Sequence, residues 1–86
     1  MSGVRYWCGV CREVVRRADL AVVAWAWPGR VVGREGCMLV HVLRCAVPVM
    51  RSIEADGASA VVVQPDVKRS VAELCREATA QAFGVI

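Results

Sequence analysis

Cys8 and Cys11 stand two residues apart in Tyr6-Trp7-Cys8-Gly9-Val10-Cys11, and no other feature restricts the fold as much. A Cys-x2-Cys turn is either one half of a metal site or a dithiol that does redox work. As a half-site it needs two more ligands from far along the chain, so the fold must close around it. The single histidine, His41, lies four residues before Cys45. Zinc takes four such ligands in a tetrahedron, which makes Cys8, Cys11, His41 and Cys45 the candidate metal set. Cys37 has the same four-residue relation to His41 and is the alternative fourth ligand. The second pair carries a condition. On a helix or in a turn, positions i and i+4 are neighbours, whereas in a strand they lie about 13 Å apart at roughly 3.3 Å per residue. The continuous apolar run from Cys37 to Cys45 fits a buried strand or a short helix, and periodicity does not separate the two.

Chain length makes such a staple valuable. Eighty-six residues form one domain, 1–86, whose core alone supplies little net stability. The chain is 57% hydrophobic, more than so small an interior can hide. Part of that surface is expected in an interface with a protein partner or a second copy, as a homo-oligomer. No membrane contact is expected, because the longest uncharged run, Leu20 to Gly29, is about half of the ~20 residues a spanning helix needs. No apolar segment of signal-peptide type follows Arg5. The expected location is cytoplasmic, where an odd count of five cysteines needs no pairing and thiols serve as ligands or redox groups.

Along the chain, residues 5–46 read as the knuckle and hairpin region and residues 47–86 as a helix-strand-helix region. Val4 to Val15 suits a short hairpin with the Cys-x2-Cys turn at its tip. Leu20 to Trp27 is apolar throughout and reads as a strand covered on both faces, ended by Pro28-Gly29. Trp25 and Trp27 would share one face of it, as core or as an interface anchor. Gly33 to Gly36 is turn-like. Val47 precedes a proline and resists helical geometry, so any helix there ends by Ala46. Pro48 then opens a second helix that stops at Gly57. Ser59 to Gln64 reads as a strand. Asp66 is expected to cap a last helix with Val67, Val71, Leu74, Cys75, Ala78 and Ala82 on its apolar face. Lys68, Arg69, Glu73, Arg76 and Glu77 take the other face, with Arg69 and Glu73 at ion-pair spacing, and Gly84 closes the helix. The fold class is α+β, a small β-hairpin and sheet with a C-terminal amphipathic helix.

Charge is uneven. Residues 1–51 carry eight arginines against three acids, while residues 52–86 carry three bases against five acids. Arg12, Arg16, Arg17, Arg30 and Arg34 flank the knuckle and hairpin and are candidates for contact with nucleic acid or an acidic protein surface. Ten arginines to one lysine also fits a GC-rich coding bias.

The Cys-x2-Cys and His-x3-Cys pairs resemble the treble-clef and zinc-ribbon families. The resemblance implies that Cys8 and Cys11 form a knuckle, that Leu20–Val42 is a β-hairpin, and that His41 and Cys45 close the site at the start of a helix. Trp7-Cys8-Gly9-Val10-Cys11 also looks like the Trp-Cys-Gly-Pro-Cys of the thioredoxin family. That resemblance implies a catalytic pair, with Cys8 as nucleophile and Cys11 as resolving thiol, a helix over Arg12 to Leu20, and a loop at Val47-Pro48 facing the dithiol. No paired acid and base, phosphate-binding glycine loop or nucleophile–histidine motif stands out, so the case for an enzyme rests on the dithiol alone. The reading is a zinc-stabilised adaptor that binds a protein partner or nucleic acid. The alternatives are a thiol–disulfide oxidoreductase and a metal-free oligomeric scaffold or accessory subunit.

Overall fold

The uncharged stretch Leu-Ala-Val-Val-Ala-Trp-Ala becomes the strand on which both helices pack. A computed structural model of the chain describes residues 5–27 and 35–84. Strands β1 (Tyr6–Trp7) and β2 (Val14–Val15) form a short antiparallel ribbon. A 3-10 turn, Arg17–Asp19, leads into β3 (Leu20–Ala26), followed by β4 (Gly36–His41), α1 (Ala46–Ala55), β5 (Ser59–Val63) and α2 (Val71–Gly84). β3 is the centre of a sheet of order β4-β3-β5, antiparallel to both neighbours. β4 and β5 therefore run parallel to each other, and α1 supplies the crossover such a pair requires. The fold is α+β, with the helix and strand classes expected from the sequence.

β3 is buried at every position except half-buried Trp25, as expected of an apolar run covered on both faces. Pairing of Leu20, Val22 and Ala24 with His41, Leu39 and Cys37 places these residues on one face. Val63 and Val61 extend that face across β5. α2 lies over all three strands and buries Leu74, Ala78 and Ala82, while its half-buried Cys75 packs against the core. α1 packs on β5 and β3.

The helix boundaries differ from the sequence expectation, for local reasons. α1 starts at Ala46 and includes Val47 and Pro48. Pro48 is its third residue, where the backbone N–H has no intrahelical acceptor, so the missing donor costs no helix bond. The stop at Gly57 holds: with φ +92°, Gly57 donates to the Glu54 carbonyl, and Ala58 donates to that of Ile53. This is a Schellman closure, and it needs the left-handed residue that glycine supplies without strain. α2 begins at Val71, four residues later than a cap at Asp66 implies. Ser70 is the cap, its Oγ accepting the Glu73 N–H at 3.1 Å and donating to the Glu73 carboxylate at 3.3 Å, which satisfies one of the free amides of the first turn. Asp66 instead accepts the Lys68 amide at 3.0 Å and organises the turn before the helix, which leaves Val67 exposed. Arg69 lies in that turn and pairs with Glu73 at 3.7 Å and Glu77 at 2.6 Å.

Trp25 and Trp27 are both half-buried, and the Trp27 indole donates to the Asp56 carbonyl at 3.4 Å, so the strand end presents no fully exposed aromatic pair. Val4, Pro28-Gly29 and Gly33 lie outside the described residues. Among the described residues no helix is long and apolar enough to cross a membrane.

Leu74 is fully buried, so Leu74→Ala should cost about 2–5 kcal/mol. Ser70→Ala should cost about 1 kcal/mol by loss of the cap, and Asp66→Ala less. Urea denaturation of the three variants checks the order. A larger loss for Asp66→Ala than for Ser70→Ala would move the helix start back to the earlier residue.

Candidate metal centre

The ribbon turns back on itself between Cys8 and Glu13. Cys8 donates its amide to the Glu13 carbonyl at 2.9 Å, and Arg12 donates to the Cys8 carbonyl at 3.0 Å. Closing so tight a turn drives Arg12 to φ +66°, a left-handed conformation unfavourable for a residue with a Cβ. The turn docks on the outer edge of β4, where Gly9 donates to the Leu39 carbonyl at 2.8 Å. A Cβ at Gly9 would come 3.1 Å from Met38 Sδ, so glycine permits the approach.

From the other side, the register that pairs Leu20 with His41 brings the last residue of β4 beside the ribbon. There the strand ends. Val42 donates to the Asp19 carbonyl at 2.9 Å, and Cys45 donates to the His41 carbonyl at 3.1 Å, so residues 42–45 form a turn. His41 is thus at a strand end and Cys45 one turn later, immediately before α1. The strand-or-helix ambiguity of 37–45 resolves as strand through His41 and turn after it, which meets the condition for His41 and Cys45 to face one point.

They do so together with the ribbon cysteines. One ligand atom each from Cys8, Cys11, His41 and Cys45 lies within 4.8 Å of all the others. His41 Nδ1 is 3.4 Å from Cys11 Sγ and 3.9 Å from Cys45 Sγ. Its far nitrogen, Nε2, is 3.2 Å from the Val14 carbonyl. A carbonyl can only accept, so Nε2 carries the hydrogen and Nδ1 turns its lone pair toward the sulfurs. Histidine ligands are oriented by this kind of outer hydrogen bond. Cys8 and Cys45 are buried, and Cys11 and His41 are half-buried.

The thiols are not equivalent. Burial pushes Cys8 up, but backbone amides of Cys11, Val10 and His41 outweigh it and bring the thiol down to about 6. The Val10 amide is 3.3 Å from Cys8 Sγ. Cys45 goes the other way, raised by burial and by the neighbouring Cys8 and Cys11 thiols. Crowding therefore opposes a second thiolate, and a divalent cation among the sulfurs reverses that opposition. The group could hold a metal ion.

Cys37 is not part of this group. Residues 37–41 are all strand, which keeps Cys37 about 13 Å along the chain from His41, and Cys37 is exposed. The helix over Arg12 to Leu20 implied by the thioredoxin resemblance is absent: that segment is β2, the 3-10 turn and the start of β3. Pro48 lies within α1. Arg12 and Arg16 are exposed. Arg17 is half-buried and donates to the Asp66 carbonyl at 3.0 Å and to that of Arg69, which ties the 3-10 turn to the approach to α2. Arg30 and Arg34 lie outside the described residues. Two contributors escaped the sequence reading. The Val14 carbonyl carries no side-chain signal at all. Arg44, only one of the eight arginines counted in residues 1–51, donates to Cys11 Sγ at 3.4 Å and pairs with Glu13 at 2.5 Å.

Comparison of the chain with family models, with curated proteins and with solved structures finds no match. The left-handed Arg12 gives the site a direct check. Arg12→Gly should leave stability unchanged or raise it by up to about 1 kcal/mol, measured by thermal unfolding. A clear loss would mean that the arginine side chain itself supports the turn.

Proposed function

We propose that the chain is a small zinc-stabilised adaptor whose metal pins the N-terminal ribbon to the junction of β4 and α1. The observation that carries this reading is His41, held by Val14 so that Nδ1 faces three cysteine sulfurs. Three thiols and one imidazole are the donor set of a tetrahedral zinc site, in which ligand atoms at about 2.0–2.3 Å from the ion stand roughly 3.5–4 Å apart. The His41 separations of 3.4 and 3.9 Å suit that spacing. Soft thiolates favour zinc over magnesium or calcium. Four protein ligands leave no open coordination position, so the ion would serve folding and not catalysis. The ligands come from a knuckle, the end of a β-hairpin and the residue before a helix, the order that the treble-clef resemblance implies.

The energetic case follows from size. Structural zinc binding amounts to about 10–16 kcal/mol in small metal-folded peptides, comparable to the whole stability of about 5–15 kcal/mol of an ordinary domain. Function then lies on the surface. Trp7, Val14, Val47 and Leu43 are exposed close to the ligands in sequence, Leu43 at 90%. Val14, Leu43, Arg16 and Asp19 line a cleft of about 400 Å³ that His41 also borders. An exposed apolar group rimmed by charges suits a protein partner. Engagement of Arg17 and Arg44 within the fold reduces the basic surface on this side and favours a protein over nucleic acid.

Native mass spectrometry of protein purified without added metal should find one zinc per chain, lost on acidification. Chelation should lower the melting temperature sharply, as should Cys8→Ser, Cys11→Ser or Cys45→Ser, whereas Cys37→Ser should retain the zinc. A metal-free chain with an unchanged melting temperature would sink the reading. Leu43→Asp keeps all four ligands and should weaken association, read for the chain alone by light scattering. Association unaltered by it would place the contact surface elsewhere.

A further inference from the structure

The three sulfurs of the candidate metal centre are not shielded alike. Cys8 and Cys45 are buried, whereas Cys11 is half-buried and so is the ligand sulfur most open to solvent. Cys8 also accepts the Val10 amide at 3.3 Å. Cys11 takes a donor from a side chain on the other half of the site. Arg44 lies in the turn between His41 and Cys45, and its Nη2 stands 3.4 Å from Cys11 Sγ and 2.5 Å from Glu13 Oε1. A terminal guanidinium nitrogen carries two hydrogens, so both bonds are made at once. Glu13 belongs to the ribbon, two residues beyond Cys11. The bridge therefore ties the 42–45 turn to the ribbon beside the ligand that water reaches.

We propose that Arg44 guards the accessible metal ligand: its guanidinium holds the Cys11 sulfur and slows loss of the ion, and Glu13 is the positioning residue that aims it. The inference rests on the zinc reading above. A charged N–H donor forms a stronger bond to an anionic acceptor than a neutral one does. Drawing electron density from a thiolate also lowers its reactivity toward electrophiles. Cys11 is where that matters, because attack on a ligand sulfur by acid or an alkylating reagent starts at the sulfur the reagent can reach. Both side chains of the Arg44–Glu13 pair are more than half exposed, and such pairs add little to overall stability. The effect of the bridge is therefore local to the site. Outer partners of this kind hold metal ligands in place and tune them.

The test uses the zinc-loaded chain as wild type, Arg44→Gln, Glu13→Gln and the double variant. Each is mixed with excess 4-(2-pyridylazo)resorcinol, and zinc transfer is followed by the colour of the complex. In parallel, brief alkylation by iodoacetamide and fragmentation of the labelled peptides show which ligand sulfur reacts first. Arg44→Gln should speed zinc transfer about 10-fold, at the lower end of the effect of removing an outer partner. It should also bring Cys11 ahead of Cys8 and Cys45. Cys37, exposed and outside the metal group, should react at an unchanged rate. Glu13→Gln should act in the same direction, and the double variant should match Arg44→Gln alone, because Glu13 acts through Arg44. Wild type that carries no zinc overturns the zinc reading and this inference with it. One zinc in wild type, with transfer unchanged in Arg44→Gln, overturns the guard alone. So does equal acceleration of Cys8, Cys11 and Cys45, which a general loosening of the ribbon would produce. Single-variant effects that simply add in the double variant would overturn the positioning role of Glu13.

Discussion

His41 can share a point with Cys45 only because the strand stops at that residue. Four residues of extended chain would carry the two side chains about 13 Å apart. The bond from the Cys45 amide to the His41 carbonyl at 3.1 Å folds that distance away. The strand before it matters as much as the turn after it, since pairing with β3 delivers His41 to the ribbon at a set register. A slip of one residue would put its side chain on the opposite face of the sheet. The candidate metal centre is thus a consequence of sheet register at one end and of a single turn at the other.

The ribbon meets this junction through backbone contacts. Gly9 bonds to Leu39, the Val14 carbonyl holds His41 Nε2, and the amides of Val10, Cys11 and His41 draw Cys8 toward its thiolate. Such contacts are directional and short in range, so they position ligand atoms well while burying little apolar area. β1 and β2 have only two residues each, and a two-stranded ribbon of that length is marginal by itself. A bound ion would supply what that small area cannot.

The central layer has the opposite character. Its stability comes from aliphatic burial along β3 and beneath α2, and its helix ends are closed by local hydrogen bonds at Ser70 and Gly57. Cys37 lies on this layer, at the end of β4 away from the metal group. One strand therefore has two unlike ends: four residues apart, Cys37 is exposed and outside the metal group, and His41 meets the ribbon and the following turn.

What the sequence determined by itself is what depends on neighbours a few residues away. The apolar run of β3, the hairpin tip at Cys8 and Cys11, the stop at Gly57 and the apolar stripe from Val71 to Ala82 follow from side-chain type and short-range sterics. The helix starts were misplaced where two local signals competed: Ser70 against Asp66, and a proline whose missing donor is harmless in a first helical turn. Cys8, Cys11, His41 and Cys45 were legible as a candidate set because spacing limits which pairs can converge. Tertiary structure alone decided that Cys45 and not Cys37 joins His41, because i and i+4 relations on the two sides of His41 are identical in sequence. They differ only once sheet pairing extends one side and a turn contracts the other. The same pairing chose a main-chain carbonyl for His41, a contact between segments that carry no reference to each other in the sequence.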